Sequence, residues 1–191
     1  MSDIPRCAPQ RSLPPYSYVP GKFPHPISDP AGHMHGVGAE ESGHQEEDVR
    51  FGFDLFNHGY YWEAHEAWEQ RWVAAVRKGL FADALKGLIK LAAAGVKARE
   101  GKPEGIRRHA RRAAELFSHV AASDRQLPAE WLDSCRRWGK YAEEVNSQAD
   151  QLVNTSPENV AVVFGFALEL PAAPFPKGNA MEPTATELAA A

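Results

Sequence analysis

Cysteine is scarce in this chain of 191 residues, which contains Cys7 and Cys135 and no Cys-x-x-Cys motif. Two cysteines are too few for the disulfide framework of a small secreted scaffold. Long apolar runs are also missing, because the longest, residues 160–168, has about half of the ~18 residues that a membrane-spanning helix needs. The first residues contain no apolar core of a signal peptide. We therefore expect a cytoplasmic protein without a membrane partner.

Neither sign of charge dominates, since the net charge is −4 and the isoelectric point is near 6.1. The strongest nucleic-acid feature is a group of four arginines on one predicted helix, and it lacks interleaved aromatic residues. We therefore expect no nucleic-acid partner, while a homo-oligomer is compatible with the sequence. The four arginines are Arg107, Arg108, Arg111 and Arg112.

Common catalytic motifs are absent as well. The sequence contains no P-loop, no Gly-x-Gly-x-x-Gly and no Gly-x-Ser-x-Gly, which removes the usual signatures of nucleotide binding and of serine hydrolases. The segment from His65 to Glu69 is similar to a zinc-protease helix in which glutamate replaces the second histidine. A histidine and a glutamate at this spacing can still bind a metal, so a divalent metal is the cofactor that the sequence suggests.

Prolines are concentrated at the two ends of the chain. Eight of the fifteen lie in residues 5–30 and four in residues 171–183, which leaves three for the middle. This distribution predicts a packed middle segment between two Pro-rich ends. We expect an extended arm over residues 1–43, a helical bundle over 44–148, an extended segment packed on the bundle over 149–170, and a disordered tail over 171–191.

Hydrophobic periodicity in the middle of the chain predicts an all-α fold, a compact bundle of about five helices with an extended N-terminal arm. Gly59 and Gly101 end predicted helices, and Pro103 and Pro128 fit the first turns of the last two. The β-branched run after Pro157 has no second strand to pair with, so no sheet is expected. The predicted helices cover residues 44–57, 60–76, 81–100, 103–122 and 128–147.

The second predicted helix contains most of the chemistry. At ~100° per residue, His65 and Glu69 share a face between Trp62 and Trp72, and Glu66 lies at its edge. One interpretation is a core network in which the two side chains hydrogen-bond each other and neighbouring helices, because unpaired burial of such groups is costly. The other is a set of metal ligands or an acid–base pair that faces a pocket.

Basic and imidazole side chains on other segments could complete such a site. Lys86 and Lys90 form a cationic edge of the third helix, which is either a solvated face or a site for an anionic substrate. His109 lies at the rim of the fourth helix. His25 and His33 belong to the arm, where His-rich segments can bind metal. In the enzymatic hypothesis, the arm brings its histidines over the face that contains His65 and Glu69.

The sequence FNHGYYWEAHEAWEQRW, followed by LKGLIKLAAAGVKAREGKPEGIRRHARRA, resembles family 309 of the domains of unknown function, over about residues 50–120. The arm sequence PHPISDPAGHMHG is similar to one found in a bacterial subset of that family. The resemblance implies a small all-helical bundle and implies no established activity. The positions that match the family pattern are Asn57, Gly59, Tyr61, Trp62, Glu63, His65, Glu66, Glu69 and Trp72.

Two functions follow as hypotheses. The first is a non-catalytic structural or binding module that contains a Trp/His/Glu core cluster. The alternative is a metal-dependent, hydrolase-like enzyme with a His/Glu centre on the second helix. The candidate residues are Glu66 and Glu69 as catalytic groups; Asn57, Tyr61, Trp62, Glu63, Trp72, Lys86, Lys90 and His109 as binding groups; and His65, Glu69, His25 and His33 as metal ligands.

Overall fold

A computed structural model describes residues 4–36, 45–74, 78–123 and 127–176. These residues contain five α-helices and no strand, which confirms the predicted all-α bundle. None of the described helices is long and apolar enough to cross a membrane. The helices are α1 (Gln45–Asn57), α2 (Tyr61–Ala74), α3 (Leu80–Arg99), α4 (Pro103–Ala121) and α5 (Ala129–Ser147).

Each helix packs against the next one along the chain, and glycines allow the closest approaches. Most of α3 is buried. A Cβ atom at Gly95 would lie 2.5 Å from the ring of Tyr61 on α2, and one at Gly87 would lie 2.5 Å from the ring of Phe117 on α4. Because neither neighbour could remain in place beside a larger residue, the small side chains of α3 set its distance to both flanking helices.

The arm packs on the bundle through one buried carboxylate. Asp54 on α1 is 1% exposed. Its two oxygens accept hydrogen bonds from the backbone N–H groups of Cys7 (2.6 Å) and Ala8 (2.8 Å), and Arg6 Nε lies 2.9 Å from Oδ2. Tyr16 of the arm is buried further along. The contacts of Asp54 fix the start of the arm on α1.

The chain after α5 is also fixed by side chains of the bundle. Asn57 Nδ2 donates to the carbonyl of Leu168 (2.9 Å), and its Oδ1 accepts from the N–H of the same residue (2.7 Å). The Tyr61 hydroxyl accepts from the N–H of Val163 (2.9 Å). Arg99, although buried, donates to the carbonyl of Glu158 (2.7 Å). This segment has no regular structure, and the bundle supplies partners for its backbone.

The start of the expected disordered tail is packed. Phe175 is buried, its ring centroid lies 5.6 Å from that of Trp131, and Trp131 Nε1 donates to the carbonyl of Pro174 (3.3 Å). Residues 171–176 therefore differ from the expectation, because one aromatic ring between Phe81 and Trp131 is enough to hold a segment without periodicity. The rest of that tail, residues 177–191, lies outside the described residues.

The contacts of Asp54 predict a large effect of its removal. Asp54→Ala leaves two backbone N–H groups and a guanidinium without their acceptor, so we expect a loss of about 3–5 kcal/mol in the free energy of unfolding. We also expect faster proteolysis within residues 4–36. Urea denaturation and limited proteolysis measure the two effects.

The matched control is Asp48→Ala on the same helix, which breaks a more exposed ion pair with Arg11 of the same arm. That pair should contribute only about 0.2–1 kcal/mol. Equal losses in the two variants would show that Asp54 has no special role in holding the arm.

Candidate metal cluster and buried acid on the second helix

The orientation of α2 is set by one aromatic face. Tyr61, Ala64 and Trp68 are almost completely buried, and Trp68 Nε1 donates to the carbonyl of Val49 on α1 (3.2 Å). His65 and Glu69 lie beside this face, where both residues are partly exposed. The side chains of His65 and Glu66 are 25% and 27% exposed. Both side chains therefore lie at the border of the core, and the interpretation of a core network around His65 stays a prediction.

Three residues of the outer face come together. His65 Nδ1 lies 3.3 Å from Glu66 Oε1. With Glu69 they form a group in which each residue offers one ligand atom and these atoms all lie within 4.8 Å of one another. Among the described residues, these are the three potential metal ligands that lie close enough together to hold one ion. The sequence predicted the i, i+4 pair, and the structure adds Glu66 as a third neighbour.

Side chains of α3 and α4 lie near this cluster. Lys86 Nζ lies 5.3 Å from the centre of the Trp72 ring. On α4, burial lowers the pKa of His109 to about 4, and the charges of Lys90 and His65 contribute to the shift in the same direction. His109 is therefore neutral at pH 7, and it is close enough to Lys90 and His65 for their charges to affect its pKa.

Glu63 is on the other side of α2, under the arm. Its side chain is 4% exposed, its Oε1 accepts the N–H of Tyr18 (2.9 Å), and His33 Nε2 lies 3.5 Å from the same oxygen. Burial raises the pKa of Glu63 to about 7, the charge of Glu66 adds to this, and the hydrogen bond from Tyr18 opposes it. Burial also lowers the pKa of His33. Burial thus strongly favours the protonated form of Glu63.

The arm histidines do not join the metal cluster. His33 lies against Glu63 and the ring of Tyr16, at 4.6 Å between ring centroids. His25 packs against the Trp62 ring at 5.5 Å, and its Nδ1 accepts from the N–H of Ile27. The arm therefore covers Trp62 and Glu63. The expectation that it brings histidines over His65 and Glu69 does not agree with this geometry, because His25 and His33 are held by contacts with Trp62, Tyr16 and Glu63.

Two candidate binding residues have a structural role. Asn57 and Tyr61 are buried and bind the backbone of the segment after α5 through the hydrogen bonds given above. Their polar groups are therefore already used within the protein. The same sequence motif contains these packing residues and the partly exposed residues of the metal cluster. The spacing of residues in the motif does not tell the packing residues from the cluster residues.

A cavity of about 330 Å³ lies between the arm, α1 and α2. Glu63 and His33 line it, together with Glu66 and residues of the arm that the sequence did not single out. The only sequence signal for these arm residues is that the Pro-rich segment contains too many apolar side chains for a solvated linker. The arm residues concerned are Arg11, Ser12, Pro14, Pro15 and Met34.

Comparison with known proteins gives one finding. Residues 49–109, about a third of the chain, match the model of a family described as "Domain of unknown function (DUF309)". The match begins within α1 and does not include the arm, whose similarity to a bacterial subset stays a prediction. No significant match was found among curated proteins or among solved structures.

The buried acid predicts a pH-dependent effect of Glu63→Gln. The pKa of Glu63 is about 7 in the folded protein, against an ordinary value of 4.5. The folded state therefore retains a proton that the unfolded state releases, and this stabilisation is full below pH 4.5 and is lost as the pH rises through 7. Relative to the wild type, the variant should become more stable from pH 5 to pH 8, by about 3 kcal/mol at most.

Chemical denaturation at several pH values measures this difference. Glu130→Gln makes the same change of charge at an exposed position of α5, and its difference from the wild type should stay nearly constant. A constant difference for Glu63→Gln as well would contradict the raised pKa.

Proposed function

We propose that the part of this chain that matches the DUF309 model is a binding module that holds a divalent metal ion on α2, through His65, Glu66 and Glu69, and presents it to a small anionic ligand. The observation that carries the proposal is the group of three ligand atoms within 4.8 Å of one another on a half-exposed helix face. In this proposal Glu66 and Glu69 are metal ligands, and the module needs no catalytic step.

The chemistry of the three side chains suits a transition metal. Imidazole nitrogen together with carboxylate oxygen is a common donor set for Zn²⁺, Mn²⁺ and Fe²⁺. Nδ1 of His65 is buried and makes no hydrogen bond within the described residues, so it has a lone pair or a proton left to use. Bonds of about 2.0–2.2 Å require small side-chain rotations from the present separations. Three protein ligands also leave coordination positions open.

The surroundings favour an anion as the second ligand. Lys86 lies over Trp72, and Lys90 is close enough to His109 to affect its pKa. Lysine ammonium groups beside a divalent ion attract carboxylate or phosphate groups. Trp72 borders the same face and provides apolar contact for the remainder of such a ligand.

A metal-dependent hydrolase is the second candidate, and His109 is the observation that favours it. Its imidazole is neutral at pH 7 and lies near His65. A base at this position would accept a proton from water, and a divalent ion lowers the pKa of a bound water molecule. The same cluster would then support hydrolysis of an anionic ester.

The composition supports two proposals about where the protein acts and with what. Cys7 and Cys135 are free thiols, which supports a reducing compartment such as the cytoplasm. Within the arginine group of α4, ion pairs engage Arg107 and Arg112. This pairing supports the expectation that the group is not a nucleic-acid surface.

Metal titration of tag-free, chelator-stripped protein tests the proposal. Calorimetry with Zn²⁺ and with Mn²⁺ should show one site per chain for at least one of them. His65→Ala and Glu69→Gln should each weaken binding by at least about tenfold, or ~1.4 kcal/mol. Both residues are half-exposed, so the variants should fold.

His35→Ala is the matched control, because His35 is an exposed histidine of the arm and its removal should leave the affinity unchanged. Full metal binding by His65→Ala would contradict the proposed site. If metal binds, hydrolysis of p-nitrophenyl phosphate that needs the metal and is lost in His109→Gln would support the hydrolase. Binding without any such turnover would support the non-catalytic module.

A further inference from the structure

The cavity under the arm shares Glu66 with the metal cluster, and the rest of its lining is different. It occupies about 330 Å³ between the arm, α1 and α2, a size typical of small-molecule sites. Its lining comes from segments far apart in sequence, since Arg11 and Met34 belong to the arm and Phe51 belongs to α1. The inference that follows rests on this cavity alone and does not require a metal on α2.

Two polar side chains that line the cavity are buried without hydrogen-bond partners on some of their atoms. The side chains of Glu63 and His33 are 4% and 7% exposed. The Ser17 hydroxyl interacts with the Glu63 carboxyl group. Within the described part of the chain, Glu63 Oε2 and both ring nitrogens of His33 nevertheless have no partner with hydrogen-bond geometry. Buried polar atoms are almost always hydrogen-bonded, because leaving them unpaired is costly. A ligand with donor groups would satisfy them.

The balance of charge in the cavity favours a cation. Arg11 is the only basic residue of the described lining other than His33, and its guanidinium is held by Asp48 at 2.7 Å and lies 4.0 Å over the Phe51 ring. The charges of Arg11 and Asp48 therefore compensate each other. The carboxyl groups of Glu63 and Glu66 remain as acceptors.

Hydrocarbon surfaces form much of the remaining lining. They favour a ligand with an apolar body, since burial of apolar area stabilises a complex by about 25 cal/mol per Å². The cavity is therefore amphipathic, since its lining combines hydrogen-bond acceptors with apolar side chains. These walls are Pro14, Pro15, Met34, Phe51, Leu55 and Ala67.

We propose that this cavity binds a small organic amine in its ammonium form, with the N–H groups donated to Glu63 Oε2 and to a ring nitrogen of His33 and the hydrocarbon part against Phe51 and Leu55. A carboxylate or phosphate ligand would face Glu63 and Glu66 at short range and is disfavoured. A neutral alcohol would satisfy one acceptor and leave the negative charge of the carboxylate uncompensated.

Three probes of matched shape test the charge requirement. Phenethylamine is an ammonium ion at pH 7.5, phenethyl alcohol is neutral, and hydrocinnamate is an anion. Calorimetry or ligand-observed NMR with the full chain should show that phenethylamine binds at least about tenfold more tightly than the alcohol, and that hydrocinnamate does not bind. Equal binding of the amine and the alcohol would overturn the proposal, as would an absence of amine binding at millimolar concentration.

Two variants localise the binding. Glu63→Gln keeps the shape of the side chain and the acceptor for Tyr18, and it should weaken phenethylamine binding at least about tenfold. Glu69→Gln makes the same change on the same helix but outside the cavity, so it should leave amine binding unchanged while it weakens metal binding. The two proposals therefore fail independently. Unchanged amine affinity in Glu63→Gln would overturn the cavity assignment.

A third variant tests the cavity without touching the acid. Ala67 lines the cavity and is half-buried, so Ala67→Leu narrows the space with little effect on the core. Weaker binding of phenethylamine, with unchanged thermal unfolding, supports the proposal. Unchanged binding in this variant would show that the amine lies elsewhere.

Discussion

The burial of one aromatic face of α2 determines the rest of the structure. Trp68 packs where a Cβ atom at Gly52 of α1 would lie 2.3 Å from its indole nitrogen, and Tyr61 packs against Gly95 of α3. These close contacts fix the rotation of α2 about its axis. Once that rotation is fixed, His65 and Glu69 lie at the surface near α3 and α4, and Glu63 lies under the arm. Both proposed sites are consequences of this single orientation.

The arm adds a second constraint that acts on Glu63. The buried carboxylate of Asp54 binds the start of the arm, and from there the chain reaches the N-terminal half of α2, where Tyr18 donates to Glu63. An acid at this position is removed from water by a segment with no regular structure. The environment of Glu63 therefore depends on contacts between residues more than forty positions apart, and it is lost if the arm leaves.

Glu66 lies between the two proposed sites. It contacts His65 in the cluster and lines the cavity beside Glu63. A charge at this position affects both the metal ligands and the buried acid, as its contribution to the pKa of Glu63 indicates. The two sites are thus neighbours on one helix, with different exposure and different ligand chemistry.

The sequence by itself determined the helices, because periodicity, glycine stops and prolines in first turns act locally. It also identified the pair His65 and Glu69, since four residues make about one helical turn. It did not determine which aromatic residues face the core: Trp62, Trp68 and Trp72 are equally apolar, and only the fit of Trp68 against Gly52 selects one. The burial of Glu63, the position of His33 and the packing of Phe175 were decided by tertiary structure alone, because each depends on a contact between segments that no local pattern relates.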